Sequence, residues 1–157
     1  TFISTGMSNY EQIDAAVEVF HRHNYPFVLL QCVSEYPAPE YTLNLRCMVE
    51  LRRRYNCPVG YSGHEVSMIP GVIAAAMGAV AVERHITLDR AMYGSDQAAS
   101  LERRGLEVMA GYIRTIPIVL GDGIKKVTDT EEANARKLRY WGPYYGPGPA
   151  ARGAQQE

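Results

Sequence analysis

The chain has 157 residues, of which 46% are hydrophobic and 21% are charged, and its formal net charge is -1. This composition is typical of one soluble globular domain and does not favour a nucleic-acid or acidic-membrane partner. No apolar run reaches the roughly 18 residues of a membrane span, and no basic-then-apolar signal opens the chain, so we expect a cytoplasmic protein. The three cysteines, Cys32, Cys47 and Cys57, are odd in number and lack CxxC spacing, which predicts reduced structural thiols.

Strand-like and helix-like segments alternate along the chain. The first half predicts the end of a strand at 1–4, a helix opened by the capping box Ser8-x-x-Glu11, a strand at 27–33 and a helix at 43–55. The second half predicts a strand from Pro58 to His64, a crossover helix from Ile69 to Gly78, a strand at 79–85, and a helix from near Ser100 that Pro117 bends or ends. Because the chain enters on what looks like the last residues of a strand, we expect a fragment.

Four strand-then-helix units with apolar strands predict an α/β protein with a parallel sheet covered on both faces. Four units fit either half of an eightfold barrel or a small doubly wound sheet, and periodicity does not choose between them. The chain contains neither GxGxxG nor GxxxxGK[ST], which weighs against a nucleotide-binding open sheet. After Trp141 the chain is rich in Gly and Pro and lacks periodicity. We therefore expect a folded domain over residues 1–141 and a disordered tail over 142–157.

His64 and His85 each stand at the end of an apolar run, and the crossover helix lies between the two runs. A strand–helix–strand unit places its strands side by side and parallel, about 4.8 Å apart, so both imidazoles can reach one ion or one substrate. A single histidine in such a place is more often a hydrogen-bonded rim residue. Two at the same level, each within two residues of a glutamate (Glu65 and Glu83), keep a metal site open as the other interpretation.

Four segments resemble the sialic acid synthase family in order and spacing. They are Ser4-Thr5-Gly6-Met7, the run from Gln31 to Pro37, the run from Pro58 to Glu65, and the run from Glu83 to Asp89 followed by Gly94-Ser95-Asp96. The Tyr-Ser-x-His and Glu-Arg-His-x-Thr motifs together would rarely occur by chance. The resemblance extends from Thr1 to about Trp141. It implies that residues 1–141 are the second half of the family's TIM barrel, strands five to eight.

The resemblance implies a transferase of sialic acid biosynthesis that resembles N-acetylneuraminate synthase. Members of the family condense phosphoenolpyruvate with N-acetylmannosamine, or a related or phosphorylated sugar, and release phosphate. They use a divalent metal ion, for which we expect Mn²⁺ with Mg²⁺ or Co²⁺ as alternatives, and the full-length enzyme is a homodimer. The first half of the barrel and a small C-terminal antifreeze-like domain are absent from this chain, so we expect it to be inactive by itself.

Carried over motif by motif, the family's metal ligands fall on His64 and His85. The resemblance places phosphoenolpyruvate at Ser4, Ser34 and Ser62, the substrates near Tyr36, and the sugar hydroxyls at Asp96. Glu83 shares a strand face with His85, so we expect it to orient that ligand from behind. With His64 and His85 it completes the set of expected catalytic residues.

Two other function classes stay open. One is a non-catalytic fragment that binds metal or pairs with the missing half-barrel. The other is a different metal-dependent barrel enzyme, such as an aldolase, which an inward Schiff-base lysine would support. Lys125, Lys126 and Lys137 all lie past the last predicted strand, which weighs against it.

Overall fold

A computed structural model describes residues 1–139. They belong to a first compact unit, Thr1–Leu120, and to a second unit that begins at Gly121. The predicted disordered tail lies outside the described residues, and the predicted boundary at residue 141 stays a prediction. Within the described part of the chain, no helix is long and apolar enough to cross a membrane.

Strands and helices alternate through the first unit. Its elements are β1 (Phe2–Ser4), α1 (Tyr10–Arg22), β2 (Val28–Cys32), α2 (Cys47–Tyr55), β3 (Val59–Gly63), α3 (Ile69–Ala76), β4 (Val82–Arg84) and α4 (Arg103–Leu120). Single 3-10 turns lie at Glu40–Thr42 and Gln97–Ala99, and the described part of the second unit contains α5 (Asp129–Leu138). The predicted α/β class is confirmed.

All four strands are parallel, and their order in the sheet is β1-β2-β3-β4. Each crossover therefore moves one strand further in the same direction. A doubly wound sheet instead reverses its strand order at a switch point. The order decides the question that periodicity left open, because four strands wound in one direction with helices outside them form a half-barrel.

The hydrophobic core lies between the sheet and the helices. Successive residues of a strand point to opposite faces, so Val59 and Tyr61 of β3 face the helices while Ser62 faces the other side. The core cluster consists of Ile13, Val17, Phe27, Leu29, Met48, Leu51, Val59, Tyr61 and Ala74. On the second face of β3 and β4, Ser62 lies beside Glu83.

The predicted start of α1 is wrong by one residue. The capping box is formed by Asn9, whose side chain accepts from the Gln12 amide at 3.0 Å while the Gln12 side chain accepts from the Asn9 amide at 2.9 Å. Ser8 does not cap the helix because its hydroxyl donates to the carbonyl of Gly6 in the preceding turn. Both pairs match the capping pattern, and the turn after β1 selects the second.

Three other helix predictions need correction. The helix α2 begins at Cys47 rather than at 43, because a 3-10 turn occupies Glu40–Thr42 and Asn44 adopts a left-handed φ of 43°. The helix α4 continues through Pro117 to Leu120, so the proline does not end it, and the alternative that it bends the helix stays a prediction. The helix α5 was not expected, although its capping box from Thr128 to Glu131 is legible in the sequence.

Candidate active site

The side chains of His64 and His85 lie together at the carboxyl ends of β3 and β4. Their ring centroids are 5.0 Å apart and the ring planes meet at 89°. In the sheet register Ser62 lies beside Glu83, and each histidine follows two residues later on the same face of its strand. His64 is buried, with 5% of its surface exposed, whereas the side chain of His85 is one-third exposed. The two imidazoles therefore border one shared space.

Hydrogen bonding assigns a tautomer to His64. Its Nδ1 lies 2.8 Å from the carbonyl oxygen of Val33, and the Sγ of Cys32 lies 3.9 Å from the same nitrogen. Because a carbonyl oxygen can only accept, Nδ1 carries the proton and donates it. Nε2 of the neutral ring then keeps its lone pair free for a metal ion or a substrate proton.

His85 has a similar arrangement with a different acceptor. Its Nδ1 lies 3.4 Å from Oδ2 of Asp96, and the Ser95 hydroxyl donates to the other carboxylate oxygen at 2.7 Å. The loop that carries Asp96 returns to β4, where the Leu101 amide donates to the carbonyl of His85 at 2.8 Å. A carboxylate beside Nδ1 favours a proton there and leaves Nε2 as the free nitrogen.

The ring of Tyr36 packs against both histidines. Its centroid lies 4.3 Å from that of His64 and 5.8 Å from that of His85. Loss of hydration raises the pKa of Tyr36, and the nearby acidic groups of Cys32, Asp96 and Glu83 raise it further. Tyr36 therefore stays protonated at neutral pH and its hydroxyl can donate to a bound oxygen atom.

The structure places the predicted serines at the same end of the sheet. The hydroxyl of Ser62 donates to Oε1 of Glu83 at 2.7 Å. Ser34 follows β2, and its Oγ would lie 2.2 Å from a Cβ added at Gly6, so this approach requires glycine. Ser4 ends β1 and is exposed.

The expected role of Glu83 differs from the contact that the structure gives it. Glu83 accepts from Ser62, whereas the carboxylate beside His85 belongs to Asp96. The expectation that Glu83 orients His85 stays a prediction. The carboxylate beside that ring is Asp96, for which the family resemblance implies a contact with the sugar hydroxyls.

Sequence reasoning missed a buried network on the opposite face of the sheet. Nη1 of Arg84 lies 2.9 Å from Oε1 of Glu65, and the Tyr61 hydroxyl donates to Oε2 of Glu65 at 2.7 Å. Burial lowers the pKa of Arg84 while Glu65 opposes this, and burial raises the pKa of Tyr61. The positions of two of these residues in the sequence could have indicated the network, because Glu65 follows His64 and Arg84 precedes His85.

The pair of imidazoles fits a divalent ion in spacing and in chemistry. An ion lies about 3.2 Å from the centroid of a ring that ligates it, so two rings whose nitrogens subtend a right angle at one ion have centroids about 4.5 Å apart. The observed separation of 5.0 Å is close to this distance. Among residues 1–139 no group of three or more His, Cys, Asp or Glu side chains could hold a metal ion.

Comparison with known proteins identifies the family. The NeuB family profile matches residues 1–125. The chain belongs to the NeuB family. This NeuB-family chain is 39% identical over 140 residues to an N,N'-diacetyllegionaminic acid synthase of Campylobacter jejuni, an alignment that covers 87% of the chain and 42% of the relative. It is 37% identical over 137 residues to the human N-acetylneuraminate-9-phosphate synthase, covering 87% of the chain and 38% of the relative.

A solved structure agrees with the family assignment. The N-acetylneuraminic acid (sialic acid) synthetase of Leptospira borgpetersenii, in complex with citrate, superimposes with a TM-score of 0.75 at 32% identity, covering 89% of the chain and 50% of that protein. The NeuB-family chain thus spans half or less of the length of these relatives. The predicted resemblance to sialic acid synthases is confirmed, and the relatives are synthases of sialic and related acids.

Proposed function

We propose that this NeuB-family chain carries the metal-binding part of a synthase that condenses phosphoenolpyruvate with N-acetylmannosamine or a related or phosphorylated sugar. The observation that supports this most is the pairing of His64 with His85. Each ring has an oxygen acceptor on its Nδ1 side, which leaves both Nε2 atoms available on one face of the sheet. The membership in a family of sialic and related acid synthases supports the same reaction.

His64 and His85 would hold the divalent ion, for which we propose Mn²⁺, with Mg²⁺ or Co²⁺ as alternatives. When bound, such an ion supplies Lewis-acid polarisation of the open-chain sugar aldehyde. The two Nδ1 contacts fix the orientation of the imidazoles, so ligand reorganisation is small. Water and substrate oxygen atoms would supply the other ligands.

The substrates would lie beside the histidines. We propose that Ser4, Ser34 and Ser62 donate hydrogen bonds to the phosphate and carboxylate of phosphoenolpyruvate, and that Asp96 accepts from sugar hydroxyls. Ser62 can donate to an anion only when its hydroxyl turns away from Glu83, its partner in this structure. Ser62 would thus exchange one acceptor for another when substrate binds.

In the proposed reaction C3 of phosphoenolpyruvate attacks the aldehyde carbon. A carbon–carbon bond forms, the C=O π bond breaks, and the former aldehyde oxygen takes up a proton. Water adds to C2 and loses one proton, which balances the proton taken up, and the carbon–oxygen bond to phosphate then breaks as the new C2 hydroxyl becomes a ketone and its proton leaves with the phosphate. Tyr36 lies against both rings, where its protonated hydroxyl can orient the sugar. Holding the reactants in line can supply several kcal/mol of barrier reduction.

The charge of the described site supports the expectation that this chain alone does not turn over. The groups that it brings together include no lysine or arginine: they are two imidazoles, the Tyr36 phenol, Glu83 and Asp96. A trianionic substrate needs cationic partners that such groups do not supply. We propose that those cations come from the remainder of the enzyme, with which the chain forms a complete barrel and, in the full-length protein, a cytoplasmic homodimer.

The proposal is tested by Mn²⁺ binding to the purified chain, followed by electron paramagnetic resonance of free Mn²⁺. We expect one weak site that His85→Ala removes. His23→Ala is the matched control, because His23 is exposed and is the C-cap residue of α1. Equal Mn²⁺ binding by the wild type and His85→Ala would refute the assigned ligands. A version extended to the length of the relatives tests catalysis. If it binds Mn²⁺ but releases no phosphate from the substrates, the site has only a binding role.

No observation favours an aldolase that acts through a Schiff base. The three lysines of the chain lie past β4, and Lys125 and Lys126 pair with Glu131 and Asp122 within the second unit.

A further inference from the structure

Glu65 and Arg84 form an ion pair that is almost fully buried, although both residue types usually lie on the surface; the Nε of Arg84 has no hydrogen-bond partner among the described residues. Their side chains are 0% and 1% exposed. Arg84 Nη1 contacts Oε1 of Glu65 at 2.9 Å, and the Tyr61 hydroxyl donates to Oε2 at 2.7 Å. Both oxygens of the carboxylate are therefore fixed from two directions.

Arg84 also holds the loops that flank the candidate active site. Its Nη1 donates to the carbonyl of Ser67 at 2.8 Å, and its Nη2 donates to the carbonyls of Glu65 and Ala99. Ser67 lies in the loop after His64, and Ala99 lies three residues after Asp96. One guanidinium thus joins the segments that carry His64, His85 and Asp96.

Gly63 provides the space that this network occupies. A Cβ at Gly63 would lie 2.6 Å from Oε2 and 2.9 Å from Oε1 of Glu65. The glycine between Ser62 and His64 therefore lets the carboxylate fold back against the end of β3. The position tolerates the ion pair only while it has no side chain.

Stability alone does not explain a pair of this kind. Removing two charges from water is costly, and a well-packed apolar pair of similar volume is often as stable or more stable. An apolar pair, however, has no preferred direction, whereas a guanidinium with four carbonyl or carboxylate partners fixes the distances among them. The network therefore has a geometric effect that packing would not supply.

We propose that the Glu65–Arg84 pair, completed by Tyr61, sets the spacing of His64 and His85. Neighbouring residues of a strand point to opposite faces, so Glu65 and Arg84 lie behind the sheet and act through the backbone. They are positioning residues. The value of the spacing to the reaction rests on the proposed metal site, but the spacing itself does not require a metal ion.

The test compares ring contacts in the metal-free chain. The double variant Glu65→Gln/Arg84→Met removes both buried charges at similar volume and keeps an acceptor for Tyr61. We expect it to retain its circular dichroism spectrum but to lose at least half of the nuclear Overhauser effect between the His64 and His85 ring protons. The matched control is Glu107→Gln/Arg103→Met, which removes an exposed pair on α4 and should change neither signal. A folded double variant with an unchanged ring contact would overturn the proposal.

A milder variant decides the question if the double variant does not fold. Tyr61→Phe removes only the hydroxyl that donates to Glu65. We expect it to fold and to weaken the ring contact, and an unchanged contact would again overturn the proposal.

A Mn²⁺ titration separates this inference from the proposed function. If the chain binds Mn²⁺, the double variant should bind it about tenfold more weakly. This is the smaller end of the loss in affinity seen when residues that support metal ligands are changed. If the wild type shows the ring contact but no Mn²⁺ binding, the metal proposal fails. The positioning role is then still decided by the ring contact alone.

Discussion

The approach of β3 to the segment before β4 depends on the absence of a side chain at Gly60. A Cβ built there would lie 2.6 Å from the backbone oxygen of Ala81 and 2.6 Å from Cδ2 of Leu30. The leucine side chain can move, but the Ala81 carbonyl accepts from the Tyr61 amide at 2.9 Å. We therefore predict that Gly60→Ala separates β3 from this segment and destabilises the chain.

The size of the effect follows from the two interactions that the new methyl group disturbs. Forcing an extra carbon into a packed site costs typically about 1–3 kcal/mol. Weakening one backbone hydrogen bond adds about 0.5–1.5 kcal/mol. A loss near 3 kcal/mol, with a urea dependence of about 2 kcal/mol per molar, lowers the urea midpoint by about 1.5 M.

The assay is urea unfolding followed by far-ultraviolet circular dichroism, with two other Gly→Ala variants for comparison. Gly111 lies in α4 with nothing within 4 Å of an added Cβ, so its variant should gain about 0.5–1 kcal/mol from helix propensity. Gly71 in α3 is intermediate, because a Cβ there would lie 3.1 Å from Met109 Sδ and 3.2 Å from Val82 Cγ1. A Gly60→Ala midpoint equal to or above that of the wild type would refute this reasoning.

Two further predictions concern substrates and pH. In a version extended to the length of the relatives, Ser62→Ala should raise the KM for phosphoenolpyruvate, since a hydrogen bond to a charged group contributes about 1.5–3 kcal/mol, while Asp96→Ala should raise that for the sugar. Steady-state kinetics with each substrate varied would check this. If both variants raised the KM for the same substrate only, the prediction would be contradicted. The hydrogen bond from Arg54, helped by Tyr55, lowers the pKa of the Asp14 carboxyl below its ordinary value of 3.8. Its stabilisation is therefore complete above pH 3.8 and disappears as the pH falls through the lowered pKa, so thermal melts of the wild type and Asp14→Asn should converge in acid.

The alternation of strands and helices could be predicted from the sequence, because apolar strands and amphipathic helices differ in the period of their hydrophobic residues. The positions of His64 and His85 followed from the same pattern, since strand ends of a parallel sheet meet at one edge. The sequence does not predict the direction in which successive strands are added to the sheet. Each strand–helix–strand unit has the same hydrophobic pattern in a half-barrel and in a doubly wound sheet. Only the observed order β1-β2-β3-β4 selected the half-barrel.

The errors at helix ends have local physical causes. Ser8 and Asn9 are both followed three residues later by a side chain suited to a capping box, and the turn at Gly6 decided between them. Pro117 removes one backbone donor close to the end of α4, which is too little to terminate an exposed last turn. A pattern of residue types does not contain these competing contacts.

The alternation of strand faces explains why the site and its support occur in the same short motifs. In β3 and the residues after it, Ser62 and His64 point to the site while Tyr61 and Glu65 point to the helices. In β4 and the residue after it the order repeats, with His85 on one face and Arg84 on the other. A change of register by one residue would exchange the two sets, placing a carboxylate in the site and an imidazole in the core. The support for His64 and His85 is therefore encoded by their immediate neighbours, and an interpretation that selects only the histidines omits the residues that hold them.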